Sequence, residues 1–214
     1  QQNRILEGIV IPPKDIINCK GKKILIIGGG DTGSDCVGTA NRHKAANVTQ
    51  IEIMPQPPVG HNPTTPWPLY PQVLKTSSSH EGCIRRWNLA SVRFIGEKNT
   101  LKGVEVEEVE WLPAKNGGRP EMWKTGRTEI IEADLVFLAM GFIHPEQEGL
   151  IKELSIAVDT RGNIAVDPGT NRIADTNIFA SGDAVSGASL VVRAMASGRK
   201  AAAAIDKYLH PHKS

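Results

Sequence analysis

Glycines 28, 30 and 33 stand directly after the apolar run Ile24-Leu25-Ile26-Ile27, in the join Gly28-Gly29-Gly30-Asp31-Thr32-Gly33. With the Gly-x-Gly-x-x-Gly spacing at the end of an apolar strand, a chain turns into a helix and offers that helix's first N–H groups to a diphosphate. Gly28 allows the sharp exit from the strand, Gly30 has no side chain to block a pyrophosphate, and Gly33 lets the helix pack close to the strand. The helix N-terminus adds partial positive charge. The chemistry on offer is the binding of a dinucleotide. Glu52 lies 19 residues beyond Gly33, near where a carboxylate binds the adenosine ribose diol of NAD(H) and an arginine accepts the extra phosphate of NADP(H). No lysine or arginine occurs between residues 45 and 74, so this strand favours NAD(H) and leaves NADP(H) open. The plainer reading of Glu52 is an exposed strand residue.

A different signature lies near the other end, Thr176-Asn177-Ile178-Phe179-Ala180-Ser181-Gly182-Asp183. A short apolar strand stops at Gly182-Asp183, where a carboxylate can accept hydrogen bonds from the ribityl hydroxyls of a flavin. A long helix follows, and its N-terminus could stabilise negative charge on a reduced flavin. Two such signatures in one chain point to a nicotinamide and a flavin working together. The cofactors then carry the chemistry, so no catalytic acid, base or nucleophile is assigned. His80 and Glu81 read as a solvated loop pair, and His61, His144, His210 and His212 as surface residues.

The elements that must position these residues can be read in outline. Lys23 to Ile27 is a strand buried on both faces, Thr32 to about Arg42 a helix, and Val48 to Met54 a second strand. Seven prolines between residues 55 and 71 exclude persistent helix or strand, and Trp67 in this loop is expected to pack over the core edge. Ser91 to Ile95 reads as a third parallel strand. Val104 to Leu112, with a bulge at Glu107-Glu108, turns at Asn116-Gly117-Gly118 and returns as Glu121 to Thr128, an inserted β-meander. Leu135 to Met140 is again fully apolar and ends at Gly141. Beyond it come a helical Leu150 to Leu154 and short strands near Ile156 and Ile164. In the last helix, Val191, Met195, Gly198, Ala202, Ile205 and Leu209 form one apolar stripe. The fold class is α/β, a Rossmann-like doubly wound parallel sheet carrying a β-meander, with a boundary near residue 145.

The 214 residues are 40% apolar and 22% charged with a net charge of +2, ordinary for a globular protein and without an electrostatic case for nucleic acid or membrane as partner. No apolar run is long enough to span a bilayer. Cys19, Cys36 and Cys83 form no Cys-x-x-Cys, so no zinc site, redox dithiol or iron–sulfur loop is encoded in this stretch. Their odd, sparse number fits a reducing cytoplasm.

Three blocks carry a family resemblance: Gly28 to Val37, Ala139-Met140-Gly141-Phe142, and Phe179 to Val192, which reads FASGDAVSGASLVV. Together they resemble the small (beta) subunit of glutamate synthase, over about residues 20 to 209. In that family a nicotinamide domain is inserted in an FAD domain, behind a cysteine-rich iron–sulfur region. The resemblance implies that residues 1–145 are the NAD(P)-binding domain with an N-terminal connecting arm, and that 146–214 are the C-terminal portion of an FAD-binding domain. The first FAD fingerprint and the iron–sulfur region have no counterpart in these residues, so the match implies a C-terminal fragment that binds flavin weakly or not at all. It further implies that Gly28, Gly30, Asp31, Thr32 and Gly33 hold the nicotinamide dinucleotide, that Gly141 lines its cleft, and that Gly182, Asp183, Ser189 and Leu190 touch FAD. The implied activity is hydride transfer from NAD(P)H to FAD, with electrons passing through iron–sulfur clusters to the large (alpha) subunit for glutamate synthesis from glutamine and 2-oxoglutarate. Met54-Pro55-Gln56-Pro57-Pro58 resembles the NADH-dependent members, and the paired arginines usual in bacterial NADPH-dependent members are absent after this strand.

Other readings stay open: a non-catalytic NAD(H)-sensing module, or the electron-input part of a related flavin and iron–sulfur oxidoreductase. A single-domain dehydrogenase would need a Tyr–Lys or His–carboxylate relay. Only Tyr70 and Tyr208 exist, neither with a lysine at a suggestive offset.

Overall fold

The structure is a computed structural model that describes residues 1–67, 69, 72–74, 81–113 and 120–211. The turn 116–118, Tyr70, His80 and His212 lie outside the described residues. The chain divides into two compact units, Gln1–Met140 and Gly141–Ser214.

The first unit opens with a short helix α1 (Gln2–Leu6) and a 3-10 turn at Pro13–Asp15. Then come β1 (Lys23–Ile27), α2 (Asp31–Arg42), β2 (Asn47–Ile51), β3 (Ile84–Arg86), β4 (Leu89–Glu97), β5 (Thr100–Leu112), β6 (Glu121–Glu132) and β7 (Leu135–Leu138). Four strands form a parallel sheet in the order β3-β2-β1-β7. The other three form an antiparallel sheet in the order β4-β5-β6.

β1 is apolar from Ile24 to Ile27 because both its faces are covered there. Ile24 and Ile26 pack with Val37 and Ala40 of α2, while Leu25 and Ile27 pack with Val104 and Val106 of β5. Each such side chain removed from water contributes roughly 1.5–3 kcal/mol, and the alternation fixes the register, since a slip of one residue would exchange the faces. The bulge expected at Glu107-Glu108 appears as a register shift between Glu107 and Val109. The extra residue returns Val109 to the buried side already occupied by Val104 and Val106.

Three expectations are corrected. The third parallel strand is β3, paired with β2 as Gln50↔Arg85, whereas Ser91 to Ile95 lies in β4 and runs antiparallel to β5. Only three residues long and partly polar, β3 carries almost no periodic signal. Trp67 is 93% exposed and does not cover the core edge. In the second unit the long helix, α5, buries a different stripe from the one expected.

That second unit contains α3 (Leu150–Glu153), α4 (Asp183–Ser186) and α5 (Val191–Leu209) around a small core of Ile151, Ile156 and Ile173. On α5 the inward residue is Ala201, and Tyr208 meets Phe179 edge to face at 5.6 Å with Arg172 above its ring at 4.8 Å. Val191, Met195 and Leu209 are exposed. A 3.6-residue period shows that one face is apolar, but small residues such as Ala194 and Ala201 compete for the buried side when the packing surface is close.

Candidate functional site

The first turn of α2 and the ends of β2 and β3 enclose a cavity of about 470 Å³, within the size range of small-molecule sites. Gly29, Gly30, Asp31 and Ser34 line it from the helix side, Glu52 from the end of β2, and Arg85 and Trp87 from β3 and the residue after it. The proline-rich segment forms the remaining wall through Pro55, Pro58, Asn62 and Leu74. Its two arms are closed by bonds from Leu74 N–H to the Pro58 carbonyl at 2.8 Å and from Asn62 Nδ2 to the Gln72 carbonyl at 2.7 Å. No role for this loop was legible in the sequence, because nothing local says on what it closes.

The turn explains its glycines. Gly28 sits at φ +121°, which L side chains rarely adopt, and a Cβ there would lie 2.1 Å from the Ala139 carbonyl oxygen just beyond β7. A Cβ on Gly33 would lie 2.1 Å from the Gly28 oxygen and 2.7 Å from Gln50 Nε2. That glycine therefore lets the helix close on the turn itself. Gly30 differs: its backbone is ordinary extended chain (φ −76°, ψ −173°), and no atom lies within 4 Å of where its Cβ would be. Neither backbone strain nor packing demands glycine there. The open space at the mouth of the cavity, beside a helix end without a side-chain cap, is what a diphosphate would fill.

Glu52 is held in place. Its Oε2 accepts from Gly29 N–H at 2.5 Å and its Oε1 from Met54 N–H at 3.1 Å. The backbone around it is zipped to the next strand, Glu52 N–H donating to Arg86 and Leu89 N–H to Glu52. The Trp111 indole N–H fixes the Ile53 carbonyl from β5 at 2.8 Å. Gln50, only 4% exposed, donates Nε2 to the Gly28 carbonyl at 2.9 Å and so ties β2 to the turn. Gln50, Ser34, Arg85 and Trp87 were missed by sequence reasoning. A buried glutamine in a strand is a signal that could have been noticed, whereas Arg85 and Trp87 need the strand order.

Thr32 is exposed on the first turn of α2 and does not line the cavity. Gly141 opens the second unit at φ +85° with free space beside its Cα. In that unit Gly182, Asp183, Ser189 and Leu190 gather where α4 gives way to α5, and Ser189 Oγ donates to Asp183 Oδ1 at 3.3 Å. Both side chains are exposed, as are Val191, Val192 and Met195 on the first turns of α5. This end of the unit therefore presents a carboxylate, a hydroxyl and an apolar surface side by side. Such a set fits a flavin, whose ribityl chain takes hydrogen bonds and whose ring takes apolar contact.

No cluster of metal-ligating side chains occurs among the described residues. The three cysteines form no disulfide, and burial pushes the thiols of Cys19, Cys36 and Cys83 above their ordinary value, which keeps them protonated and poorly nucleophilic. No helix among the described residues is long and apolar enough to cross a membrane.

The chain is 41% identical over 211 residues to the glutamate synthase [NADPH] small chain of Mycobacterium tuberculosis, covering 97% of this chain and 42% of that one. It is 37% identical over 201 residues to the glutamate synthase [NADH] of Saccharomyces cerevisiae, covering 89% of this chain and 9% of that protein. It thus spans less than half the length of these relatives. Among solved structures, Mycobacterium tuberculosis FprA in complex with NADPH superposes with a TM-score of 0.66 at 13% identity, covering 92% of this chain and 54% of that one, a likeness of fold. The resemblance carried by the glycine turn and the Gly182-Asp183 block therefore holds along nearly the whole chain. Residues 7–198 match the pyridine nucleotide-disulphide oxidoreductase family, and the chain belongs to it.

Proposed function

We propose that the first unit binds NAD(P)H in the cavity beside Gly30, and that the second unit supplies the closing part of an FAD site. On this reading the protein is the electron-input part of a glutamate synthase, acting with a large (alpha) subunit in the cytoplasm. The observation that carries it is the empty volume at Gly30, a glycine required neither by backbone conformation nor by neighbouring atoms. The turn 28–33 would take the pyrophosphate through the N–H groups of the first turn of α2. Glu52, already oriented by Gly29 and Met54, can still accept from a ribose hydroxyl, since each carboxylate oxygen has two lone-pair sites. Pro55, Pro57 and Pro58 would shield the adenosine end from water. In the second unit Asp183 and Ser189 would hold the ribityl chain, and the start of α5 would face developing negative charge. A flavin bound there supplies hydride acceptance from reduced nicotinamide; the chain's own part is to hold, orient and shield.

The test is a titration of the 214-residue chain with NADH and NADPH, read by calorimetry and by energy transfer from tryptophan to bound nicotinamide. Trp87 in the cavity wall serves as the natural donor. One nucleotide bound per chain is expected. No binding of either nucleotide at millimolar concentration would overturn the reading.

A further inference from the structure

The end of β2 carries a carboxylate, and on that strand alone the coenzyme would be NAD(H). The cavity, however, has a second strand in its wall. Gln50 and Arg85 are register partners in neighbouring parallel strands, so their side chains share a face of the sheet. That face is the α2 side, because Gln50 reaches the Gly28 carbonyl and Cys83, two residues before Arg85, packs against the core under α2. Arg86 takes the opposite face and binds Glu129 of β6 with both guanidinium arms. Two adjacent arginines are thus parted by the strand's alternation. One braces the two sheets; the other, half-buried beside the Cys83 thiol, lines the cavity with Glu52 and Trp87. No ion pair joins Arg85 to a carboxylate among the described residues, whereas Arg86 has one. A guanidinium offers five donors in a planar fork suited to phosphate oxygens, and the neutral thiol beside it is only a weak acceptor. The Glu52 oxygens are drawn toward Gly29 and Met54, which restrains the carboxylate at the end of β2; the other carboxylate in the wall, Asp31, stands on the helix side.

We infer that Arg85 is a specificity-determining residue that binds the 2′-phosphate of NADPH, so that β3 overrides the preference the end of β2 expresses. The inference rests on the coenzyme reading above and deepens it. Trp87, next in line on the same wall, stands where it can stack on the adenine.

The experiment compares the wild-type chain with Arg85→Ala and Arg85→Lys by titration with NADPH and NADH at two ionic strengths. Circular dichroism establishes that each variant is folded. Wild type is expected to bind NADPH more tightly than NADH, with the NADPH affinity falling more steeply as salt rises. Arg85→Ala should weaken NADPH about 10- to 100-fold, the loss of hydrogen bonds to a charged group, and shift NADH less than about threefold. Arg85→Lys, which keeps the charge but not the fork, should recover part of the loss. It also carries the test if the alanine variant fails to fold. Equal losses for both nucleotides, or none for either, would overturn the role of Arg85 and leave the coenzyme site standing. A wild-type chain that binds neither nucleotide would instead remove the site itself.

Discussion

Two glycines two residues apart are required for opposite reasons, and substitution separates them. Gly28 is fixed by the fold: its positive φ and the Ala139 oxygen 2.1 Å from a would-be Cβ leave no room for a side chain. Gly28→Ala should destabilise the first unit by about 2–5 kcal/mol, combining backbone strain and overpacking, as a lowered urea midpoint. Gly30 is fixed by nothing in the fold. Gly30→Val should cost about 1 kcal/mol or less, the loss of an acceptable N-cap residue, yet abolish coenzyme binding by filling the space meant for diphosphate. A folded Gly30→Val chain with wild-type affinity would refute the placement. The three glycine positions were legible in the sequence because a tight turn is a local affair. Gln50 and Arg85 were not: each acquires its meaning from a partner brought in by strand pairing, 22 residues away for the Gln50 bond to Gly28.

Among the elements, β3 shows why the outline was readable and the edge was not. β1 announces itself as an apolar run because both its faces are buried, β7 as a shorter apolar run that is only partly covered, and β5 and β6 by their length and bulge. β3 has three residues at the edge of the sheet and is held there by side chains as much as by its ladder. Arg86 reaches Glu129 on β6, and this pairing holds the Glu129 carboxyl below its ordinary range by hydrogen bonding that outweighs burial. A carboxylate favoured in the folded state contributes stability above its unfolded pKa and loses it as pH falls through the lower folded value. The side chains are substantially exposed, so a double-mutant cycle on Arg86→Ala and Glu129→Ala should give a coupling of only about 0.2–1 kcal/mol at pH 7. That coupling should fade as the solution is acidified below pH 4.5. A coupling unchanged at pH 3 would show that the pair does not brace β3. The same limit on local reading applies to α5, where periodicity revealed an apolar face but not which small residues a close neighbour would cover.

At the scale of the molecule, two units with separate cores carry the two nucleotide signatures, and this separation has a thermodynamic consequence. The core of residues 1–140 joins two sheets and a helix, whereas that of residues 141–214 centres on three buried isoleucines, with Val191, Val192 and Met195 of α5 left in solvent. Buried apolar area sets stability to first order, so the second unit should melt at the lower temperature. A ligand of the native state stabilises only the unit that binds it. NADPH at 100 times its dissociation constant should add about 2.7 kcal/mol to the first unit, raising that transition by roughly 5–10 °C and leaving the other in place. The sequence provides the reporter: all four tryptophans, at 67, 87, 111 and 123, belong to the first unit. Tryptophan fluorescence should therefore follow the coenzyme-sensitive transition alone, while circular dichroism registers both. A single transition in both signals, moved as one by NADPH, would show that the units unfold together and that the nucleotide bound by one stabilises the whole chain.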